Sequence, residues 1–120
     1  MMNDQGRINP DWECTPTDVD ERMRGGEAIL LIDCRTDAER AIATIADSLH
    51  IEHQALSSNL EMLFQKEDDF SELVVYCHHG VRSLGVVAAL REAGFESVRS
   101  MAGGIDRWSR EVDPSIATYS

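Results

Sequence analysis

Residues 77–82 read CHHGVR and bring a cysteine, a glycine and an arginine together within six positions. A cysteine thiolate is a strong nucleophile, and an arginine guanidinium is a planar, permanently charged fork that binds the oxygens of a sulfonate or phosphate. Gly80 allows the backbone to curl, so that several N–H groups point inward at one anion. We therefore expect this segment to form an anion-binding loop with the sulfur of Cys77 at its base.

The elements on either side of this loop are predicted from hydrophobicity. The run Leu73–Tyr76 is typical of a buried strand, and residues 83–93 are typical of a helix that ends at Gly94. That helix is apolar nearly all round, so we expect it to be buried. A loop between a strand and a helix lies at the positive end of the helix dipole, which lowers the pKa of a cysteine. Cys77 is therefore the predicted catalytic nucleophile, and a preformed thiolate requires no general base.

The rest of the chain alternates short apolar runs with helical patterns. A helix is predicted from a Thr15 cap to about Arg24. Further strands are predicted at residues 28–32, 49–51 and 97–99, and further helices at residues 37–41, 54–66 and 105–112. Apolar strands that alternate with helices predict an α/β fold, with a parallel sheet covered by helices on both faces. Sites in such sheets lie at the carboxyl ends of the strands, where Cys77 and the turn Asp33-Cys34-Arg35 fall.

The composition limits the classes of function. The 120 residues carry a net charge of −11, which argues against nucleic acids and anionic membranes as partners. No apolar run approaches the roughly 20 residues that span a bilayer, and residues 1–13 lack the basic and apolar regions of a secretory signal. Three cysteines without a CxxC pair indicate neither a disulfide framework nor a zinc site. We expect one cytoplasmic domain over residues 1–120, with a core at about 13–112 and short flexible ends.

The other residues of the loop are predicted to bind substrate around Cys77. This set is His78, His79, Gly80, Val81, Arg82 and Ser83. Arg82 is predicted to bind the anion, while the two histidines line the mouth and add positive charge when protonated. Ser83 is expected to cap the following helix, with its hydroxyl near the sulfur. Adjacent histidines in a tight loop do not easily face one ion, and zinc takes four ligands, so no metal or other cofactor is predicted.

Three consecutive residues outside the loop also fall at this edge of the sheet. Asp33 and Arg35 are expected to form structural ion pairs around neighbouring loops rather than to take part in the chemistry. Cys34 lies on a strand that we expect beside the strand of Cys77. Two interpretations of Cys34 are open: a small buried hydrophobe, which we favour, and a resolving thiol for Cys77.

The loop and the segment after it resemble a known family. The segment reads CHHGVRS followed by LGVVAALREAGFESVRSMAGGIDRW. It is similar to the single-domain rhodanese-like sulfurtransferases. The pattern of that family is C-x-x-G-x-R-S, a helix ending in GF, a strand, and GG before W. The upstream LLIDCRTDAE resembles the family segment LIDVRexxE and matches Asp33, Arg35 and Glu39 to it. The resemblance covers roughly residues 13–110. It departs at residues 43–51, which read ATIADSLHI where the family reads GHIPGAxNIP.

The resemblance implies a rhodanese-like fold, which has a central parallel sheet of about five strands flanked by helices on both faces. It also implies the activity of a thiosulfate sulfurtransferase without a cofactor. Cys77 would take a sulfane sulfur from a small anionic donor such as thiosulfate and become a persulfide. The persulfide would then pass the sulfur to cyanide or to a thiol, including the thiol of a partner protein.

Two other functions are open. Cysteine phosphatases and arsenate reductases also pair a thiolate with an arginine. In enzymes that act on tetrahedral phosphate-type substrates, however, five residues typically lie between the cysteine and the arginine. Four residues lie between Cys77 and Arg82, which favours sulfur transfer. The other alternative is a non-catalytic rhodanese-like module for binding or regulation. Modules of that kind usually lack the cysteine, which this chain keeps.

Overall fold

The computed structural model describes residues 8–120. The expectation that residues 1–13 form no secretory signal concerns residues that lie partly outside this range. Within it, five parallel strands form one sheet in the order β1-β5-β4-β2-β3. The strands are β1 (Glu13–Cys14), β2 (Ile29–Asp33), β3 (Leu49–His50), β4 (Glu72–Tyr76) and β5 (Val98–Met101). The helices are α1 (Pro16–Arg24), α2 (Asp37–Ile42), α3 (Leu60–Lys66), α4 (Arg82–Ala93) and α5 (Gly104–Glu111). None of these helices is long and apolar enough to cross a membrane.

Side chains of the central strands alternate between two hydrophobic cores, one on each face of the sheet. The first core receives residues from α3 and α4, namely Leu63, Val86, Val87 and Leu90. The second receives residues from α1 and α5, namely Val19, Ile105 and Trp108. The predicted α/β fold with helices on both faces is confirmed. Cys34 and Cys77 both belong to the first core, so the two thiols lie on the same side of the sheet.

The first two helices begin where the sequence predicts, because side chains cap them. The Thr15 hydroxyl accepts the N–H of Asp18 over 3.1 Å at the start of α1. At the start of α2, Thr36 and Glu39 form a capping box. That capping box holds the Glu39 backbone at the edge of the sheet where β4 ends.

Two predicted helices differ from the observed ones. Helix α4 is not buried all round: Val86 and Val87 are buried, while Ala88 and Ala89 are exposed, because alanine is small enough to face solvent at little cost. The helix predicted at residues 54–66 begins only at Leu60. Before it lie two 3₁₀ turns, His53–Ala55 and Ser57–Asn59. The side chains of Ser58 and Asn59 both donate to the Ala55 carbonyl, and such local bonds compete with a regular helix.

Strand β1 is an element that hydrophobic patterning does not predict. It has two residues and pairs in parallel with β5, matching Cys14 to Met101. Two residues are too few to produce a periodic pattern, so this strand depends on its partner.

Candidate active site

The loop between β4 and α4 closes around the sulfur of Cys77, which is 1% exposed. The backbone N–H of Gly80 donates to Cys77 Sγ over 3.1 Å, and the N–H of Ser83 donates to it over 3.4 Å. The Ser83 hydroxyl lies 3.3 Å from the same sulfur and 2.7 Å from the hydroxyl of Ser100. The sulfur therefore faces several donors that stabilise a negative charge.

These donors favour the thiolate form of Cys77. Its pKa is lowered to about 5, first by the thiol of Cys34 acting as a hydrogen-bond donor and then, against the opposing effect of burial, by Ser83 and Gly80. The N-terminus of α4 adds the positive end of a helix dipole. A thiol with this pKa is a thiolate at neutral pH, and the role of Cys77 as the nucleophile stays a prediction.

The curl of the loop depends on a glycine. Gly80 has φ 96°, a left-handed conformation that residues with a side chain rarely adopt. A Cβ at this position would also lie 2.9 Å from the backbone nitrogen of Gly103. Any other residue would therefore displace the N–H group that points at the sulfur.

The first turn of α5 packs against the opposite side of the loop. The N–H of Ile105 donates to the Cys77 carbonyl over 2.9 Å, and the N–H of Asp106 donates to the His78 carbonyl over 3.2 Å. A Cβ at Gly104 would collide with both carbonyl groups. The pair Gly103-Gly104, predicted only as a turn, thus allows α5 to hold the loop backbone in place.

The guanidinium of Arg82 forms an ion pair with a carboxylate. Its Nη1 donates to Glu39 Oε1 over 2.6 Å, and its Nη2 donates to Glu39 Oε2 over 2.8 Å. The guanidinium lowers the pKa of Glu39 well below the ordinary value. The predicted role of Arg82 in binding the anion stays a prediction. A guanidinium has five N–H groups, and two of Arg82's are used here.

Tyr119, close to the end of the chain, reaches back to the same group of residues. Its hydroxyl donates to Glu39 Oε2 over 2.8 Å and accepts from Arg35 Nη1 over 2.9 Å. Its ring stacks on His78, with centroids 3.8 Å apart and planes inclined by 7°. This packing differs from the flexible C-terminal end that we expect from the sequence.

The two histidines have different environments. His78 is half-buried between the rings of His79 and Tyr119, and its Nε2 is buried without a hydrogen-bond partner among residues 8–120. The His79 side chain is 60% exposed and lies 3.9 Å from Asp106 Oδ2. Ligand atoms of His78, His79 and Asp106 lie within 4.8 Å of one another, closer than we expect for adjacent histidines. A catalytic zinc site also has three protein ligands, so the absence of a metal at this group of described residues stays a prediction.

Two further residues of the predicted set differ from expectation. Ser83 lies inside α4 and does not cap it; the cap position is Val81, which has no capping side chain. Val81 is 78% exposed, so its side chain forms no part of the buried wall around the sulfur. For Ser83, the position of the hydroxyl near the sulfur agrees with the sequence prediction, whereas the capping role does not.

Asp33 and Arg35 form a fully buried ion pair beside the loop. Arg35 Nε and Nη2 donate to the two carboxylate oxygens of Asp33 over 2.9 and 2.8 Å. Arg35 Nη2 also donates to the carbonyl of Ala43 over 2.7 Å. These bonds join the end of β2 to the segment that departs from the family pattern. Their geometry is that of a structural pair.

Cys34 lies directly beside Cys77. The register of β2 and β4 matches Asp33 to Tyr76, and the N–H of Cys34 donates to the Tyr76 carbonyl over 3.1 Å. Cys34 is fully buried. The Cys77 sulfur and burial both raise the pKa of the Cys34 thiol far above its ordinary value. In the resting protein Cys34 is therefore held as a thiol.

A small groove lies next to the loop. Its volume is about 190 Å³, and it is lined by His53, Leu56, Arg82, Gly85, Val86 and Ala89. A larger cavity of about 410 Å³ includes Ile45 and Trp108, which belong to the core on the other face of the sheet. Of these two, only the groove includes a residue of the predicted substrate-binding set, Arg82.

Sequence patterns did not reveal the site contacts of three residues, namely Glu39, Ser100 and Tyr119. Glu39 has a sequence signal as the third residue after Thr36 in a capping box, but its ion pair with Arg82 depends on the fold. Ser100 and Tyr119 have no local signal at all. Their contacts join positions 17 and 80 residues apart in the chain, respectively.

Comparisons with known proteins agree with this geometry. A family model for the rhodanese-like domain matches residues 15–111. Thiosulfate sulfurtransferase GlpE of Haemophilus influenzae is 34% identical over 111 residues, which cover 92% of this chain and 99% of that protein. Adenylyltransferase and sulfurtransferase MOCS3-1 of Zea mays is 37% identical over 97 residues, and the chain spans only 21% of its length. The crystal structure of a rhodanese-like domain protein from Staphylococcus aureus matches 91% of this chain and 99% of that one, with TM-score 0.74 and 23% identity.

Proposed function

The chain belongs to the rhodanese-like domain family, and from that membership we propose that it is a sulfurtransferase that works through a persulfide on Cys77. The observation that carries this proposal is the Cys77 thiolate, with a pKa of about 5, at the base of a loop whose N–H groups face it. A thiolate among hydrogen-bond donors is a nucleophile that can attack an anionic sulfur donor.

The first half-reaction loads the enzyme. The Cys77 thiolate attacks the outer sulfur of thiosulfate, a new S–S bond forms, and the S–S bond of thiosulfate breaks. Sulfite leaves with the electron pair, and the persulfide anion remains on Cys77. In the second half-reaction a thiolate or cyanide attacks the outer sulfur, and Cys77 leaves again as a thiolate. Its lowered pKa makes it a good leaving group.

The loop residues have distinct roles in this proposal. Backbone N–H groups of the loop, including that of Gly80, stabilise negative charge on the sulfur atoms. Arg82 binds the sulfonate oxygens with the N–H groups that Glu39 leaves unused, and it lines the groove beside the loop. His78, His79 and Val81 form the mouth of the loop.

The proposed donors and acceptors are small sulfur anions, thiols and cyanide, and a thiol protein is one acceptor of this class. We place the protein in the cytoplasm, where thiols are kept reduced, because transfer requires a free Cys77 and a free acceptor thiol. We also propose that residues 1–120 act as one domain. Neither a cofactor nor a metal takes part in the reaction as written.

The test is the intact mass of the protein after incubation with thiosulfate. Early in the incubation the wild type should gain the mass of one sulfur atom, and cyanide added at that point should remove it. Cys77→Ser should gain nothing, whereas Cys14→Ser should load like the wild type, because Cys14 lies on β1 and belongs to the core on the other face of the sheet. Loading that persists in Cys77→Ser would move the chemistry to another cysteine. Hydrolysis of a phosphate monoester without sulfur loading would instead favour the phosphatase alternative.

A further inference from the structure

Cys34 and Cys77 occupy neighbouring positions at the ends of adjacent parallel strands. The matched pair Asp33 and Tyr76 precedes them, and the Cys34 N–H is bonded to the Tyr76 carbonyl. Both side chains belong to the same core, and their residues are 0% and 1% exposed. Adjacent strands lie about 4.8 Å apart. That spacing falls inside the range of roughly 4.4–6.8 Å between Cα atoms that a disulfide requires.

We propose that Cys34 discharges the Cys77 persulfide inside the molecule and releases its outer sulfur as hydrogen sulfide. The Cys34 sulfur attacks Sγ of Cys77, and the bond between Sγ and the outer sulfur breaks. The outer sulfur leaves with the electron pair and takes the proton of the Cys34 thiol. A Cys34–Cys77 disulfide remains, so Cys34 is oxidised while the outer sulfur is reduced to sulfide. This step rests on the proposed persulfide and needs no external oxidant.

The resting protein keeps Cys34 unreactive until Cys77 is loaded. The first cause of the raised pKa of Cys34 is the Cys77 sulfur beside it. Once Cys77 carries the sulfane sulfur, the negative charge lies one atom further away, on the outer sulfur. Cys34 is then relieved of this effect, while the positive charge of Arg82 still favours its thiolate.

The position of Cys34 also gives it an advantage over a thiol from solution. Cys77 is almost fully buried, and the stacked rings of His78 and Tyr119 cover part of the loop. A dissolved thiol must enter through the mouth, whereas Cys34 already lies beside Sγ. Groups held together in this way react as if at very high concentration. The disulfide must be reopened by a dithiol reductant, which is the class of partner that this inference adds.

The experiment uses the whole chain loaded with inorganic polysulfide, which persulfidates a thiolate without an enzyme-catalysed step. After removal of excess reagent, sulfide and intact mass are followed without any acceptor. The wild type should release about one equivalent of sulfide per loaded chain, and a peptide map should recover a Cys34–Cys77 disulfide. Cys34→Ala and Cys34→Ser should keep the added sulfur at least about tenfold longer. Cys14→Ala, which removes a buried thiol elsewhere, should behave like the wild type.

The outcomes separate this inference from the proposed function. A wild type that is loaded by polysulfide but not by thiosulfate contradicts thiosulfate as the donor. The internal discharge is then tested by whether the loaded protein releases sulfide. A stable persulfide in the wild type overturns the discharge. Equal sulfide release from Cys34→Ala also overturns it, because the attacking thiol would then come from another molecule. A release rate that does not change with protein concentration supports it.

Discussion

Cys77 depends on donors that its own sequence neighbours do not all supply. The largest contribution to its low pKa comes from Cys34, which directly follows β2. We expect alkylation of Cys77 by a neutral reagent to be half-maximal near pH 5 and constant above it, since only the thiolate reacts. Cys34→Ala removes a donor to the thiolate, so the midpoint should move to higher pH. The measurement is the alkylation rate as a function of pH. A wild-type midpoint near the ordinary thiol value of about 8.5 would contradict the proposed thiolate.

Arg82 allows a test of whether its charge binds substrate or only holds Glu39. Losing a hydrogen-bonded guanidinium costs on the order of 1.5–3 kcal/mol, so Arg82→Ala should lower kcat/KM for thiosulfate about 10- to 100-fold. Arg82→Lys should restore only part of this, because an ammonium lacks the fork. Alkylation of Cys77 by a neutral reagent should change much less.

The matched control is Glu39→Gln, which can still accept a hydrogen bond from Arg82 but removes the carboxylate charge. It should reduce kcat/KM less than Arg82→Ala does. Equal losses in Arg82→Ala, Glu39→Gln and the double variant would show that Arg82 acts only through Glu39.

The features of this site that depend on residues close together in the sequence could be predicted from it. Cys77, Gly80 and the start of α4 lie within a few residues, so their order alone predicts an anion-binding loop. The Arg82–Glu39 pair joins residues 43 positions apart, and no pattern in the chain predicts it. The same holds for the donor role of Cys34, which follows from the register of two strands.

At the scale of elements, the segment after α5 is the part that the sequence describes least well. Residues 113–120 contain no helix or strand, yet Tyr119 connects Glu39, Arg35 and His78. Regular elements were predicted because periodic hydrophobicity and caps such as Thr15 are local signals. A single aromatic residue that packs against a distant loop leaves no such signal.

Tyr119 should therefore position Glu39 and the loop. Tyr119→Phe keeps the ring on His78 but loses two hydrogen bonds to charged groups, so kcat/KM for thiosulfate should fall about three- to tenfold. Tyr119→Ala loses the stacking as well and should fall further, with a lower Tm. Ser120→Ala changes the exposed neighbour and should leave both quantities unchanged. Full activity and an unchanged Tm in Tyr119→Ala would show that the C-terminal segment has no effect on the site.

At the scale of the whole molecule, the charge of the chain opposes the charge of its proposed donor. The chain carries a net charge of −11 and measures 34 × 30 × 29 Å. The Debye length is about 30 Å in 0.01 M salt and about 8 Å in 0.15 M salt. Charges on every side of the molecule therefore reach the loop at low salt, and only nearby charges do so at physiological salt.

Two nearby pairs of opposite charges cancel, because Glu39 pairs with Arg82 and Asp33 pairs with Arg35, and the Cys77 thiolate adds a negative charge. The repulsion of an anionic donor by the rest of the chain should then dominate at low salt. We expect kcat/KM for thiosulfate to rise, by less than about tenfold, when the salt concentration is increased from 0.01 to 0.15 M. The rate of Cys77 alkylation by a neutral reagent is the control and should stay constant. A fall in kcat/KM would mean instead that Arg82 and the two histidines create a local positive potential strong enough to attract the donor.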